Sequence, residues 1–167
     1  MSYRAVILTL SDRGAAGLRA EDASAAAIRA LLQDLPIEVA AYEVLPDEVD
    51  LISDALCRHA DEPDVQLVIT TGGTGLSPRD VTPQATLAVV EYEVVGMAEA
   101  MRAEGLRHTP MAMLSRAVVG VRSGTLIVNL PGSPKGVRES LGVLLPALSH
   151  ALEKLGGDPA DCAPTLQ

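Results

Sequence analysis

The chain has no tryptophan and no phenylalanine, and only three tyrosines, Tyr3, Tyr42 and Tyr92. A core without large aromatic rings has to be aliphatic, and Ala, Val and Leu supply it. The same lack removes the aromatic platforms on which single-stranded nucleic acid stacks. Basic residues are scarce as well: 13 Lys and Arg stand against 22 Asp and Glu, for a formal charge of −9. With no basic run, a nucleic-acid surface is not expected, although one cleft with a local Arg or Lys can still take an anionic small molecule. Cysteine is limited to Cys57 and Cys162, neither in a CxxC, so neither a disulfide framework nor a zinc site is expected. The N-terminal apolar run, about six residues, is too short for a signal sequence or a membrane span. The expectation is a cytoplasmic protein with no membrane attachment. A length of 167 residues suits one domain over 1–167 with a sizeable core, ending in a loosely ordered tail at 156–167.

What is present alternates between strands and helices. Residues 5–10 read as a buried strand and are followed by a polar segment, 11–21. Asp22 reads as the cap of a helix reaching about Gln33, with Ile28, Leu31 and Leu32 on one face. Residues 37–45 read as a second strand, broken by Pro46-Asp47, and Val49, Ile52 and Leu56 mark a second helix. Residues 65–70 form a third strand. Thr82-Pro83 starts a helix, with Thr as the cap and Pro at the first helical position. Gly96 begins another helix, to about Leu106. Residues 111–114 and 117–121 read as short strands and 125–130 as a clear one. Ser133-Pro134 opens a last helix that Gly156-Gly157 ends. The pattern implies an α/β fold, three layers α/β/α around a mostly parallel sheet.

Residues 70–83, Thr-Thr-Gly-Gly-Thr-Gly-Leu-Ser-Pro-Arg-Asp-Val-Thr-Pro, carry the densest chemical signal. Glycines such as Gly72, Gly73 and Gly75 let the backbone approach a ligand and aim N–H groups at it. Arg79 and Asp80 follow at once, as phosphate chemistry requires. The spacing is not that of a Walker loop, since no Lys stands at the required place, nor of a dinucleotide fingerprint, since Pro78 replaces the last glycine. The next helix starts well beyond Gly75, so the segment reads as a wide lip under a nucleotide.

In a parallel sheet, ligands bind outside the carboxyl ends of the strands. Four polar clusters fall there: 11–13, 46–48, 72–80 and 131–135. Turn residues occupy strand ends for structural reasons too, so it is the coincidence of the four that points to one composite site. Asp47, between a strand and a helix, reads as a natural N-cap. Asp80 reads as free, because Thr82 is the expected cap. At adjacent strand ends the two carboxylates suit Mg²⁺, which takes carboxylate and phosphate oxygens. Arg79 can pair with Asp80 or with a phosphate. Ser133 and Pro134 read as cap and first helical residue, at a terminus that also attracts an anion. Lys135 opposes the helix dipole there, which a phosphate partner would explain. Ser115-Arg116 is either a solvent-facing turn or part of the site. His59, His108 and His150 lack ligand spacing, and Glu91, Glu93, Glu99 and Glu104 read as solvated faces.

Together these segments resemble a known pattern. Residues 71–75 (Thr-Gly-Gly-Thr-Gly), 79–83 (Arg-Asp-Val-Thr-Pro), 96–102 (Gly-Met-Ala-Glu-Ala-Met-Arg), 114–116 (Leu-Ser-Arg) and 129–136 (Asn-Leu-Pro-Gly-Ser-Pro-Lys-Gly) resemble the molybdopterin-binding domain family, over residues 4 to about 152. The resemblance implies transfer of AMP from MgATP to the terminal phosphate of molybdopterin, with ATP and molybdopterin as substrates and pyrophosphate as the second product. It also implies a homotrimer and a downstream molybdenum insertase. Within it, Asp47 and Asp80 become the catalytic, Mg²⁺-associated carboxylates. Ser11, Asp12, Gly72, Gly73, Thr74 and Gly75 become nucleotide-binding residues, and Ser115, Arg116, Ser133 and Lys135 molybdopterin-binding ones. A pterin-binding homologue without transfer activity and a trimeric scaffold domain are the alternatives. Two positions depart from the family pattern: Gln84, where Glu is usual, and Val95, where Pro is usual.

Overall fold

Strand β1 (Tyr3–Leu10) shows how the sheet is sandwiched. Its side chains alternate between two apolar cores: Ala5 and Ile7 on one face, Val6, Leu8 and Leu10 on the other, all 0–3% exposed. β3 (Leu67–Thr71) and β6 (Thr125–Leu130) repeat the pattern, so all three strands are buried on both sides, as central parallel strands are. The computed structural model describes residues 2–18 and 21–159. The remaining elements are α1 (Asp12–Ala15), α2 (Ala23–Leu32), β2 (Ile37–Leu45), α3 (Val49–Ala60), α4 (Thr82–Leu87), β4 (Tyr92–Glu93), α5 (Val95–Leu106), a 3₁₀ turn (Pro110–Leu114), β5 (Val119–Arg122) and α6 (Pro134–Leu155).

The strand order is β2-β1-β3-β6-β5-β4. The first four are parallel; at the other edge β5 runs antiparallel to β6, and the short β4 antiparallel to β5. Helices α2, α5 and α6 cover one face, through Ile28, Leu32, Met101, Leu141, Leu144 and Leu148. Helices α3 and α4 cover the other, through Ile52, Leu56 and Ala85. This is the three-layer α/β/α arrangement expected. β1 is followed in sequence by its neighbour on one side, β2, and then by its neighbour on the other, β3. Such a switch point opens a crevice at the carboxyl ends of the strands.

One buried polar residue ties the layers together. Asn129 on β6 donates from Nδ2 to Thr70 Oγ1 and Thr86 Oγ1, each at 3.0 Å, and its Oδ1 accepts the Val118 N–H at 3.2 Å. Every hydrogen-bonding group of that amide but one lone pair is thereby used, so its burial carries little penalty.

Several expectations are corrected. Residues 111–114 are a 3₁₀ turn, not a strand: Pro110 has no N–H for a ladder, and Thr109 Oγ1 accepts the Met111 N–H to start the turn. Thr82 is not a cap but the first residue of α4. It is fully buried, and its Oγ1 donates to the Gly72 carbonyl at 2.9 Å. Asp47 is not the cap of α3 either; Glu48 holds that position without a side-chain bond. Asp47 and Asp80 do not follow adjacent strands, because β1 lies between β2 and β3. Within the polar segment 11–21, Ser11 caps the short α1 by accepting the Gly14 N–H. Asp22 and Ser133 do cap α2 and α6. The expected tail begins with a described turn, where the Asp158 N–H donates to the Glu153 carbonyl, but from residue 160 it lies outside the described residues.

Candidate active site

The glycine-rich segment after β3 is held open by its own bonds. Gly72 and Gly73 have φ of 106° and 64°, the left-handed region that favours glycine. A Cβ on Gly72 would sit 2.3 Å from the Leu10 carbonyl oxygen, and one on Gly73 would sit 2.4 Å from Thr82 Oγ1 and 3.1 Å from Asp47 Oδ1. The Gly72 N–H donates to the Leu130 carbonyl and the Thr82 N–H to the Gly73 carbonyl. Arg116 closes the far side. Its N–H donates to the Thr74 carbonyl, its Nε to the Gly75 carbonyl at 2.8 Å, and its Nη2 to the Asp80 carbonyl at 2.6 Å. Carbonyls are thus taken up on the protein side. Among the described residues, the N–H groups of Gly73, Thr74 and Gly75 donate to no protein acceptor. Successive N–H groups left unbonded in this way are available to an anion.

Two clefts meet at this loop. The smaller, about 210 Å³, is polar and sits at the switch point; Ser11, Asp47, Gly72, Gly73 and Asp80 line it. Sequence reasoning missed its other polar members, Thr9, Ser24 and Thr71. Their signal was their place at strand ends and in the first turn of α2, where hydroxyls are common for structural reasons. The larger, about 310 Å³, runs between the loop, α5, the 3₁₀ turn and the start of α6. Thr74, Gly75, Ser115, Ser133 and Lys135 line it, with an apolar wall that includes Met101, Met111 and Leu114.

Asp47 is the electrostatic oddity of the smaller cleft. Its Oδ2 accepts the Asp12 N–H at 3.0 Å. Its Oδ1 is buried and has no hydrogen-bond partner among the described residues. Burial pushes the carboxyl above its ordinary pKa, with a further push from the charges of Asp12 and Asp80, while the Asp12 N–H and Arg79 oppose it. Asp80 faces the same cleft but is not free, since its Oδ2 accepts the Ser77 N–H at 2.8 Å. The expected pairing of Arg79 with Asp80 is not made. Arg79 instead grips Asp12 and also reaches Glu48. Its hydrogen bonds hold the Asp12 carboxyl below the usual range, helped by the Asp47 N–H.

The expected site residues therefore gather, with two exceptions. Asp12 and Arg116 line neither cleft, and their polar groups bind other parts of the protein. Gln84, the departure from the family pattern, accepts from Arg116 Nη1 at 3.2 Å, so the amide still buttresses the residue that shapes the loop. Val95 opens α5 as its first residue. Lys135 is 77% exposed at the rim, 3.8 Å from Glu139 one turn on, which offsets part of its unfavourable position. Among the described residues no three His, Cys, Asp or Glu cluster to hold a metal. No helix there is long and apolar enough to cross a membrane.

Comparison with known proteins identifies the family. Residues 6–150 match the family described as the probable molybdopterin binding domain. The chain is 41% identical over 155 residues to the molybdopterin adenylyltransferase of Helicobacter pylori, covering 91% of this chain and 87% of that one. It is 42% identical over 142 residues to the molybdopterin adenylyltransferase of Escherichia coli K12, covering 84% and 72%. The crystal structure of the molybdopterin biosynthesis enzyme MoaB from Thermus thermophilus superposes with a TM-score of 0.88 at 54% identity, covering 95% of this chain and 99% of that one. With the family matched across most of the chain and adenylyltransferases 41% and 42% identical to it, the chain belongs to the molybdopterin-binding domain family, as a homologue of the molybdopterin adenylyltransferases of molybdenum cofactor biosynthesis.

Proposed function

We propose that the chain transfers AMP from ATP to molybdopterin, acting as one domain over 1–167 within a cytoplasmic homotrimer. An oxygen of the pterin's terminal phosphate attacks the α-phosphorus of ATP. A P–O bond forms there, the bond to the β-phosphate bridge breaks, and pyrophosphate leaves. The adenylylated pterin then passes to a molybdenum insertase.

The observation that carries this reading is Asp47 Oδ1, a buried carboxylate oxygen without a partner among the described residues, in a cleft shared with Asp80 and walled by a glycine loop. An orphaned anionic oxygen fits a cation ligand. Two carboxylates with no third fit Mg²⁺ in particular, which keeps waters and substrate phosphates as its other ligands. Held by Asp47 and Asp80, Mg²⁺ would neutralise charge on the triphosphate. The chain's own groups do the rest. The N–H groups of Gly73, Thr74 and Gly75 donate to phosphate oxygens, and Ser11 lines the smaller cleft with Gly73. Ser115, Ser133 and Lys135 hold the pterin side in the larger cleft. Arg116 acts on the nucleotide through the loop it shapes. Phosphoryl-type transfer asks for position and charge stabilisation of this kind and for no nucleophilic side chain.

Asp80→Asn tests the reading. Its amide oxygen can still accept the Ser77 N–H, so the melting temperature stays within about 2 °C, while pyrophosphate release in the presence of molybdopterin falls about 10²-fold or more. Near-normal turnover at saturating Mg²⁺ would remove Asp80 from the chemistry.

A further inference from the structure

Three strand ends meet at one guanidinium. Arg79, in the loop after β3, donates from Nε to Asp12 Oδ2 at 2.9 Å and from Nη2 to Asp12 Oδ1 at 2.8 Å. The same Nη2 reaches Glu48 Oε1, beyond the end of β2, at 3.2 Å. Asp12, beyond the end of β1, is bonded to Asp47 in both directions. Its N–H donates to Asp47 Oδ2, and its Oδ1 accepts the Asp47 N–H, each at 3.0 Å. Asp47 Oδ2 is thereby taken, and Oδ1 is the oxygen left over.

Neither Asp12 nor Arg79 lines either of the two clefts described above. Their pair is half exposed, at 54% and 44% of side-chain area, and exposed ion pairs add little to stability. Holding both oxygens of a carboxylate with a planar fork, however, fixes its plane as well as its place. The plane of Asp12 decides where Asp47 sits, since Asp12 Oδ1 serves Arg79 and the Asp47 N–H together.

We propose that Arg79 and Asp12 are a positioning pair for Asp47: the guanidinium locks the Asp12 carboxylate, and the two-way bond between Asp12 and Asp47 leaves Asp47 Oδ1 for the substrate-side cation. This assigns Asp12 no direct contact with the nucleotide. The inference rests on the reading of Asp47 given under Proposed function.

The test uses full-length Arg79→Gln, Arg79→Lys, Asp12→Asn and the double variant Asp12→Asn/Arg79→Gln. Steady-state kinetics with ATP and molybdopterin are combined with amide hydrogen exchange in the substrate-free protein. Each of Arg79→Gln and Asp12→Asn should lower kcat about 10–100-fold, with KM for both substrates within about twofold. The double variant should be no worse than the worse single one, because the two residues act as a unit. Arg79→Lys should recover only part of the loss, since an ammonium cannot grip both oxygens. In Arg79→Gln the Asp12 and Asp47 amides should exchange about tenfold faster or more, while β1 and β3 amides keep their rates. Unchanged exchange at Asp47, additive losses, or a raised KM for one substrate with kcat kept would overturn the proposal, the last because it marks direct ligands. Asp47→Asn is the separating control. If it keeps full turnover, the catalytic reading of Asp47 fails, while the exchange result still decides whether Arg79 positions it.

Discussion

Asp47 holds a charge where the fold alone does not favour one. Its pKa is raised, chiefly by burial. A raised folded-state pKa means that the carboxyl's stabilising contribution is complete below the unfolded-chain value and is lost as pH rises through the folded one. At neutral pH an ionised Asp47 is therefore a cost, which without metal the Asp12 N–H and Arg79 offset only in part. Asp47→Asn should melt about 2–4 °C higher than the parent protein at pH 7 in chelator-treated buffer. The gain should shrink as pH falls through the folded-state value and be gone below the unfolded-chain value of about 4. An unchanged or lower melting temperature at pH 7 would show that the orphaned oxygen stores no strain. Since Glu48 occupies the cap position, no cap loss should accompany the substitution. Lys135 gives a second residue-scale prediction. It stands in the first turn of α6, opposed by the dipole and only partly answered by Glu139. Lys135→Ala should weaken molybdopterin binding much more than ATP binding in calorimetric titrations. Equal losses, or a loss confined to ATP, would reverse the assignment of the two clefts.

At the scale of elements, much of the fold is legible in the sequence where a strong apolar run meets unambiguous punctuation. β2, β6 and α6 fall at their expected bounds because Pro46, Gly124 and Ser133-Pro134 leave no alternative. The short apolar run at 111–114 is different: four residues show no period, and Pro110 rather than hydrophobicity decides their conformation. β4 has two exposed residues, too few for a pattern. Thr82 misleads because a Thr before a Pro is read as a cap, whereas here burial turns its hydroxyl onto Gly72. The positions of Asp47, Asp80, Ser133 and Lys135 around one loop were legible from their places at strand ends. The partners of Arg79 were not, because they depend on β1 lying between β2 and β3, which local sequence does not encode. A further element-scale contact joins edge strand β2 to α3: Arg58 forks Glu43 at 2.9 and 3.0 Å, and buried His59 Nε2 lies 2.7 Å from the same carboxylate. Arg58 above all, then His59, holds the Glu43 carboxyl down to about 2. A depressed folded-state pKa gives stability that is present above the unfolded value and lost as pH falls through the folded one. The stability advantage of the parent over Glu43→Gln should therefore shrink between pH 4.5, the ordinary value, and about pH 2. Urea midpoints across that range check it, and a constant difference would rule the ion pair out.

For the whole molecule, one open α/β sheet brings residues from β1, β2, β3 and β6 to a single rim, and two clefts of different character share one glycine loop. That division suits two phosphate-bearing substrates meeting end to end, the nucleotide at the carboxylates and the pterin at Lys135. Trimer formation, which rests on the family resemblance, should give a light-scattering mass about three times the 17.4 kDa of the chain at micromolar concentration. A mass equal to one chain would contradict it. The central claim is adenylyl transfer, and it is tested most directly by mass spectrometry of the pterin after incubation of the protein with molybdopterin, ATP and Mg²⁺. The expected result is molybdopterin heavier by one AMP unit, with one pyrophosphate released for each, and with Asp80→Asn both products form about 10²-fold more slowly, or slower still. Molybdopterin recovered unmodified from active, folded protein with ATP present would contradict the account.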